Sequence, residues 1–342
     1  MPIHDATWVK LYELADAFRR LAPWQWMYHT DLFGVKDPET GETGYCCILG
    51  RGDASLGMAV YRNQKGLQAY ERRIEVEPER PAAMPYLAQD CWIISFHVQE
   101  ELTEDEKTRI RRLGLQGGEG AQWPLIEDFS PGMVPWPITR EEEARFLLLA
   151  LEQAMYVATQ YRDNPEYVER AGADPWQLLI REPHIRENHL MWEDDWVPVP
   201  PFVPEARPIP INKLFLRSNL SPLPRSSARW LIDIFYFPSP TQPAQGERPF
   251  FPQLMLVIDL RSERVIGHTL FTPGNVAQEL PPALVQIIRQ YEALPAVIAS
   301  SNRDVLIWIQ LLAAEAGIRL ELTMDPQLVL RFKESLFKSL AI

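Results

Sequence analysis

Apolar side chains return every three to four positions between residues 5 and 22, so that Trp8, Leu11, Tyr12, Ala15 and Phe18 share one helical face. Asp5 stands where a capping acceptor is wanted, and Pro23 ends the helix. The pattern then changes. Residues 45–49 and 56–61 are short apolar runs joined by Gly50-Arg51-Gly52-Asp53, which predicts a hairpin, and a polar turn precedes them at Asp37-Pro38-Glu39-Thr40-Gly41. A helix is predicted over 64–73 and a strand over 91–98. Thr103 with Glu106, and Thr139 with Glu142, have the spacing of a capping box, in which a hydroxyl and a carboxylate each satisfy a backbone N–H. The second box opens a helix over about 140–160 that contains the apolar run 146–151. This mixture predicts an α+β domain with a small, mostly antiparallel sheet.

Proline then takes over. The chain has 31 prolines in 342 residues, against about 5% in ordinary chains, and Pro198, Pro200, Pro201, Pro204, Pro208, Pro210, Pro222 and Pro224 form a run. Each removes a backbone donor and holds the preceding residue extended, so the run is expected to be a stiff connector without helix. It divides the chain into an acidic, Trp-rich domain over 1–205, ending in the linker, and a second domain over 206–342.

The second domain reads as strands over 229–237, 253–259 and 264–271, the last two joined by a tight polar turn. A helix follows over 281–291 with Pro281 and Pro282 in its first turn. A short strand over 296–299 leads into a helix that Asn302 caps and Gly317 stops, then a strand over 318–322. Asp325 and Pro326 open a last helix. Residues 296–322 form a β-α-β unit, which implies parallel pairing.

Charge is unevenly spread. Residues 1–205 hold 20 Lys and Arg against 35 Asp and Glu, a balance of −15, and residues 206–342 hold 14 against 11, a balance of +3. Nucleic acid is therefore not an expected partner of the first domain. No apolar stretch approaches the ~20 residues of a membrane span, and the first residues lack the basic and apolar regions of a secretory signal. Cys46, Cys47 and Cys91 are too few for a disulfide framework, so a reduced, cytoplasmic protein is expected.

The order β-β-β-α-β-α-β-α resembles the ribonuclease-H-like fold. Residues 26–35 (Trp26 to Val35) and 44–50 (Gly44 to Gly50), with 251–267 and 294–322 in the second domain, resemble a group of bacterial two-domain proteins. Those pair an N-terminal domain of unknown function with a C-terminal ribonuclease-H-like domain of unknown function. The resemblance supports the domain division and implies no chemistry.

Ribonuclease-H-like catalysis needs three or four carboxylates converging on two Mg²⁺ ions. Here the first strand offers Asp233 and the next ends in Asp259, but the fourth strand ends in Ser300-Ser301-Asn302, where an acid is expected. Asp304 is the nearest acid, and the last helix carries Glu334. The neutral groups cannot balance two divalent charges. Cys46 and Cys47, adjacent on a strand, point to opposite faces and do not make a zinc site with Cys91, His29 and His97. Residues 182–189, with His184 and His189, read as a surface loop, and 114–120 as a glycine-rich flexible loop. The acids Glu193, Asp194 and Asp195, framed by Trp192 and Trp196, suggest a cation-binding stretch.

The expectation is a non-catalytic binding or interaction protein without a cofactor or resident metal. Its partner is open, a protein being the candidate, and no membrane partner is expected. The alternative is a divergent metal-dependent nuclease or phosphoesterase using Asp233, Asp259 and either Asp304 or Glu334 with Mg²⁺ or Mn²⁺.

Overall fold

The computed structural model describes residues 1–50, 56–75, 85–116, 122–168, 177–199, 206–323, 331 and 333. The chain divides into two compact units: Met1–Pro131 with Pro135–Phe202, and Gly132–Val134 with Val203–Ile342.

The first unit runs α1 (Asp5–Leu21), β1 (Phe33–Lys36), β2 (Thr43–Leu49), β3 (Gly57–Arg62), α2 (Asn63–Glu75), β4 (Cys91–Val98) and α3 (Glu104–Arg112), then β5 (Gln122–Phe129), β6 (Trp136–Pro137), α4 (Glu141–Asp163), β7 (Gln177–Arg186) and β8 (His189–Pro198). Its strands form one sheet in the order β6-β5-β4-β3-β2-β1-β7-β8, antiparallel throughout except where β1 lies parallel to β7. Every residue from Tyr45 to Leu49 is buried, which needs cover on both faces of the sheet. Cys46, Ile48, Val60 and Ile94 face α1 and α4, while Tyr45, Cys47, Ala59 and Cys91 pack with Leu67 and Tyr70 of α2.

The face of α1 is the one expected, with Trp8, Leu11, Tyr12, Ala15 and Phe18 buried. Asp5 is the first helical residue rather than the cap; His4 holds the cap position and its N–H donates to Glu141. The Thr103–Glu106 box forms as predicted. The second box slides by one residue: Glu143, not Glu142, reaches back to the Arg140 N–H. The sheet is not small. Residues 182–189 belong to a long hairpin, β7–β8, instead of a loop, turned at Glu187 and Asn188, both at positive φ. The glycine-rich stretch at 117–120 lies outside the described residues.

The second unit runs α5 (Lys213–Leu220), β9 (Arg229–Tyr236), β10 (Gln253–Asp259), β11 (Arg264–Phe271), α6 (Val276–Tyr291), β12 (Val297–Ser300), α7 (Arg303–Trp308), α8 (Gln310–Ala316) and β13 (Arg319–Leu322). The sheet order is β11-β10-β9-β12-β13. The first three strands pair antiparallel, and β9, β12 and β13 pair parallel, as the β-α-β reading required. Trp230, Ile232, Met255 and Val257 face the helices, with Leu231, Ile258 and Ala299 on the other face. Gly132–Val134 joins this unit because the Val134 N–H donates to Pro249 O and the Phe251 N–H to Gly132 O.

Two proline readings are corrected. The stretch between Pro210 and Pro222 contains no proline, and there Asn212 caps α5 while Leu216 and Leu220, four apart, bury one stripe. Pro281 and Pro282 lie in the interior of α6, which starts at Val276. Burial of Val276, Leu280 and Leu284 on one stripe carries the helix through the two missing donors. The predicted last helix falls mostly outside the described residues.

Gly44 lies under α4, where a Cβ would meet Phe146 Cε1 at 2.5 Å and Val60 Cγ1 at 2.9 Å. Gly44→Ala is expected to destabilise by about 1–3 kcal/mol in urea unfolding, with Phe146→Leu in the same chain recovering part of the loss. Full stability in the single variant would contradict this close approach. Asp37 ties the β1–β2 turn to α4, accepting from the Glu39 N–H, Thr40 and the Arg145 guanidinium. Burial pushes its carboxyl up, but these bonds together outweigh it and hold the group below the usual carboxylate range. A depressed folded value gives stability that is complete above the unfolded value and lost as pH falls through the folded one. Asp37→Asn should flatten the acid limb of the stability curve below about pH 4; an unchanged limb would refute the assignment.

Candidate functional site

The strand period of two decides which candidate groups meet. On β9 and β10, Asp233 pairs with Leu256 and Asp259 with Trp230. Asp233 therefore shares the face of Leu231 and Ile258, and Asp259 the opposite face, that of Trp230 and Val257. The two carboxylates do not come together. Asp233 is 5% exposed and lies 2.9 Å from Lys333 Nζ, an ammonium that also stands 4.4 Å over the Phe235 ring. Asp259 accepts from both the N–H and the hydroxyl of Ser262, holding the β10–β11 turn. At the end of β12 the Ser300 hydroxyl takes the Asn302 N–H, and Asn302 caps α7 through the Asp304 N–H. Asp304 is thus a first-turn residue of α7. Glu334 lies outside the described residues.

The acidic stretch of β8 is split in the same way. Trp192, Asp194 and Trp196 share one face, and both rings pack on the core under α1 and α4. Glu193 and Asp195 point the other way. A cation does occupy Asp194, and it comes from this chain: the buried Arg181 guanidinium pairs with it, donates to Gln153 and lies 4.3 Å from the Tyr156 ring centroid. The Tyr167 hydroxyl donates to Asp194 at 2.7 Å, and burial together with that neighbouring carboxylate pushes the phenol well up. Glu193 pairs with Arg186 and His184, while Asp195 takes the Trp196 N–H. Cys46 lies on one face of its sheet and Cys47 and Cys91 on the other, all three buried; burial pushes the Cys46 thiol up. Among the described residues, no group of three or more His, Cys, Asp or Glu is arranged to hold a metal ion.

Sequence reasoning missed one arrangement. Ser95 and His97, two apart on β4, share a face, and Ser95 Oγ lies 2.9 Å from His97 Nε2. Behind the ring, Nδ1 lies 3.1 Å from Glu101 Oε2, in the single turn Gln99–Glu101 that follows β4. Glu101 also accepts the Val98 N–H. A carboxylate only accepts, so Nδ1 carries the proton, and in the neutral ring Nε2 accepts from the Ser95 hydroxyl. The readable signal was Ser-x-His on a strand with an acid four residues on. A cavity of about 320 Å³ nearby, lined by Lys107, Ile110, Arg111, Leu115 and Trp123, is bounded by none of Ser95, His97 and Glu101.

These are two α-and-β units, each built on a mixed sheet. Residues 8–181 match a domain of unknown function (DUF7309), and the chain belongs to that family. Residues 217–337 match a second domain of unknown function (DUF6930), so two family domains cover the chain. No curated protein matches. Among solved structures, a chain of the simian T-cell lymphotropic virus intasome in complex with PP2A regulatory subunit B56 gamma is similar at 15% identity and a TM-score of 0.25. The match covers 56% of this chain and 57% of that one, and at that score it decides neither fold nor chemistry. Among the described residues no helix is long and apolar enough to cross a membrane.

Asp194→Ala leaves Arg181 buried without its counterion. A loss of about 3 kcal/mol is expected, the low end for a broken buried pair because Asp194 is partly exposed. Glu193→Ala and Asp195→Ala should each stay within about 0.5 kcal/mol in denaturant unfolding. Equal effects across the three acids would contradict the assignment.

Proposed function

We propose that this is a cytoplasmic bacterial protein of binding and interaction, whose second unit is a ribonuclease-H-like fold kept as a scaffold rather than as a nuclease. The strand order β11-β10-β9-β12-β13, three strands antiparallel and then two parallel, supports the fold assignment. Fold alone argues no activity. The observation that carries the functional reading is the Lys333–Asp233 pair. A two-metal site gathers carboxylates on one face to balance about four positive charges. Here the buried carboxylate of the first strand is already neutralised by a lysine, and Asp259 stands on the opposite face as a turn cap. Carrying the β9–β12 register two residues on sets Ser301, not an acid, beside Asp233. Exposed apolar side chains on the β7–β8 hairpin, Ile185 at 77% with Leu190 and Met191, suit a protein that works through contacts.

The test is hydrolysis of labelled single-stranded DNA, duplex DNA and RNA–DNA hybrid in Mn²⁺ by the wild type, Asp233→Asn and Asp259→Asn. No cleavage above buffer is expected from any of the three. Cleavage by the wild type that either variant abolishes would establish the nuclease or phosphoesterase alternative. Lys333→Met should cost about 3 kcal/mol by stranding a buried carboxylate, and adding Asp233→Asn should restore most of it.

A further inference from the structure

Ser95, His97 and Glu101 play no part in the scaffold role of the second unit, and their geometry points to a separate chemistry in the first. We propose that Ser95 is an activated nucleophile, and that the first unit transfers the acyl group of small carboxylic esters to water. Two observations converge. The hydroxyl is 2.9 Å from a ring nitrogen that the Glu101 contact leaves as an acceptor. Ser95 is 6% exposed, a side chain fixed in the sheet, whereas His97 is far more open to an incoming ester or water.

The step balances with water as the only co-reactant. Ser95 Oγ forms a bond to the ester carbonyl carbon while His97 Nε2 takes the hydroxyl proton. The carbon–oxygen bond to the alcohol then breaks, and that proton leaves on the departing oxygen. Water, giving its proton to the same nitrogen, attacks the acyl-serine, and the proton returns to Ser95 as the carboxylic acid leaves. Glu101 touches no reacting atom. It is a positioning residue that sets the tautomer and steadies the charged ring.

The experiment is phosphonylation of the full-length protein by a small alkyl fluorophosphonate, read by intact mass and peptide mapping, with p-nitrophenyl acetate turnover in parallel. One adduct on Ser95 is expected in the wild type and none in Ser95→Ala. His97→Ala should slow labelling at least about 100-fold, the low end of what a positioned base contributes. His97→Gln, which keeps a polar side chain of similar size, serves if the alanine variant fails to fold. Glu101→Gln should lower the maximal labelling rate while leaving its dependence on probe concentration unchanged, a split that loss of structure would not produce. Folded wild-type protein that gains no adduct on Ser95, or labels at the same rate in folded His97 variants, would overturn the proposal. Labelling of Ser95 without ester turnover would overturn the hydrolysis and leave only a reactive serine.

Discussion

Both sheets are built around strands whose side chains are buried on both faces, and that constraint governs the rest. From Tyr45 to Leu49 every residue of β2 is buried, and β10 is the same from Leu254 to Ile258. A strand of this kind is stable only with apolar cover above and below, at about 25 cal/mol for each Å² removed from water. In the first unit that cover comes from α1 and α4 on one face and α2 on the other. Any polar group set into such a strand must find its partner there, because an unpaired one costs more than a good bond returns. Asp233 finds Lys333, and Ser95 finds His97.

The same constraint separates groups that look adjacent in the chain. Neighbouring strand residues point to opposite faces, so Glu193, Asp194 and Asp195 are not one cluster, and Cys46 and Cys47 are not one thiol pair. Asp233 and Asp259 are divided by the β9–β10 register in the same manner. Ser95 and His97 are joined by it. A residue list rich in ligand types is therefore weak evidence, whereas parity and register together are strong evidence.

Local patterns were legible where local physics decides. The face of α1, the Thr103–Glu106 box, the Asn302 cap and the Gly317 stop, with φ at 65°, all depend on residues within four positions of one another. Where tertiary burial competes with local preference, burial wins. Pro281 and Pro282 argue for a helix start, yet the stripe Val276, Leu280 and Leu284 is worth more than two lost donors when it seals the core. The flanking prolines mask α5, whose eight residues hold a single buried apolar pair, Leu216 and Leu220. The outer part of the β7–β8 hairpin is charged and exposed, since β8 is the sheet edge and β1 pairs with β7 only at Ile180 and Arg181, so residues 182–189 lack the apolar signal of a strand.

Spacing along the chain is enough to specify the two-part division, the face of α1, the Thr103–Glu106 and Asn302 caps, the parallel β-α-β unit and the lack of an acid at the end of β12. Spacing says nothing of Lys333 neutralising Asp233, of Arg181 occupying Asp194, or of Glu101 standing behind His97 on the side away from Ser95, which come only with the folded chain. Each of those contacts depends on strand register or on a side chain brought in by another element. Register is set by the global fit of apolar faces rather than by any residue of the pair.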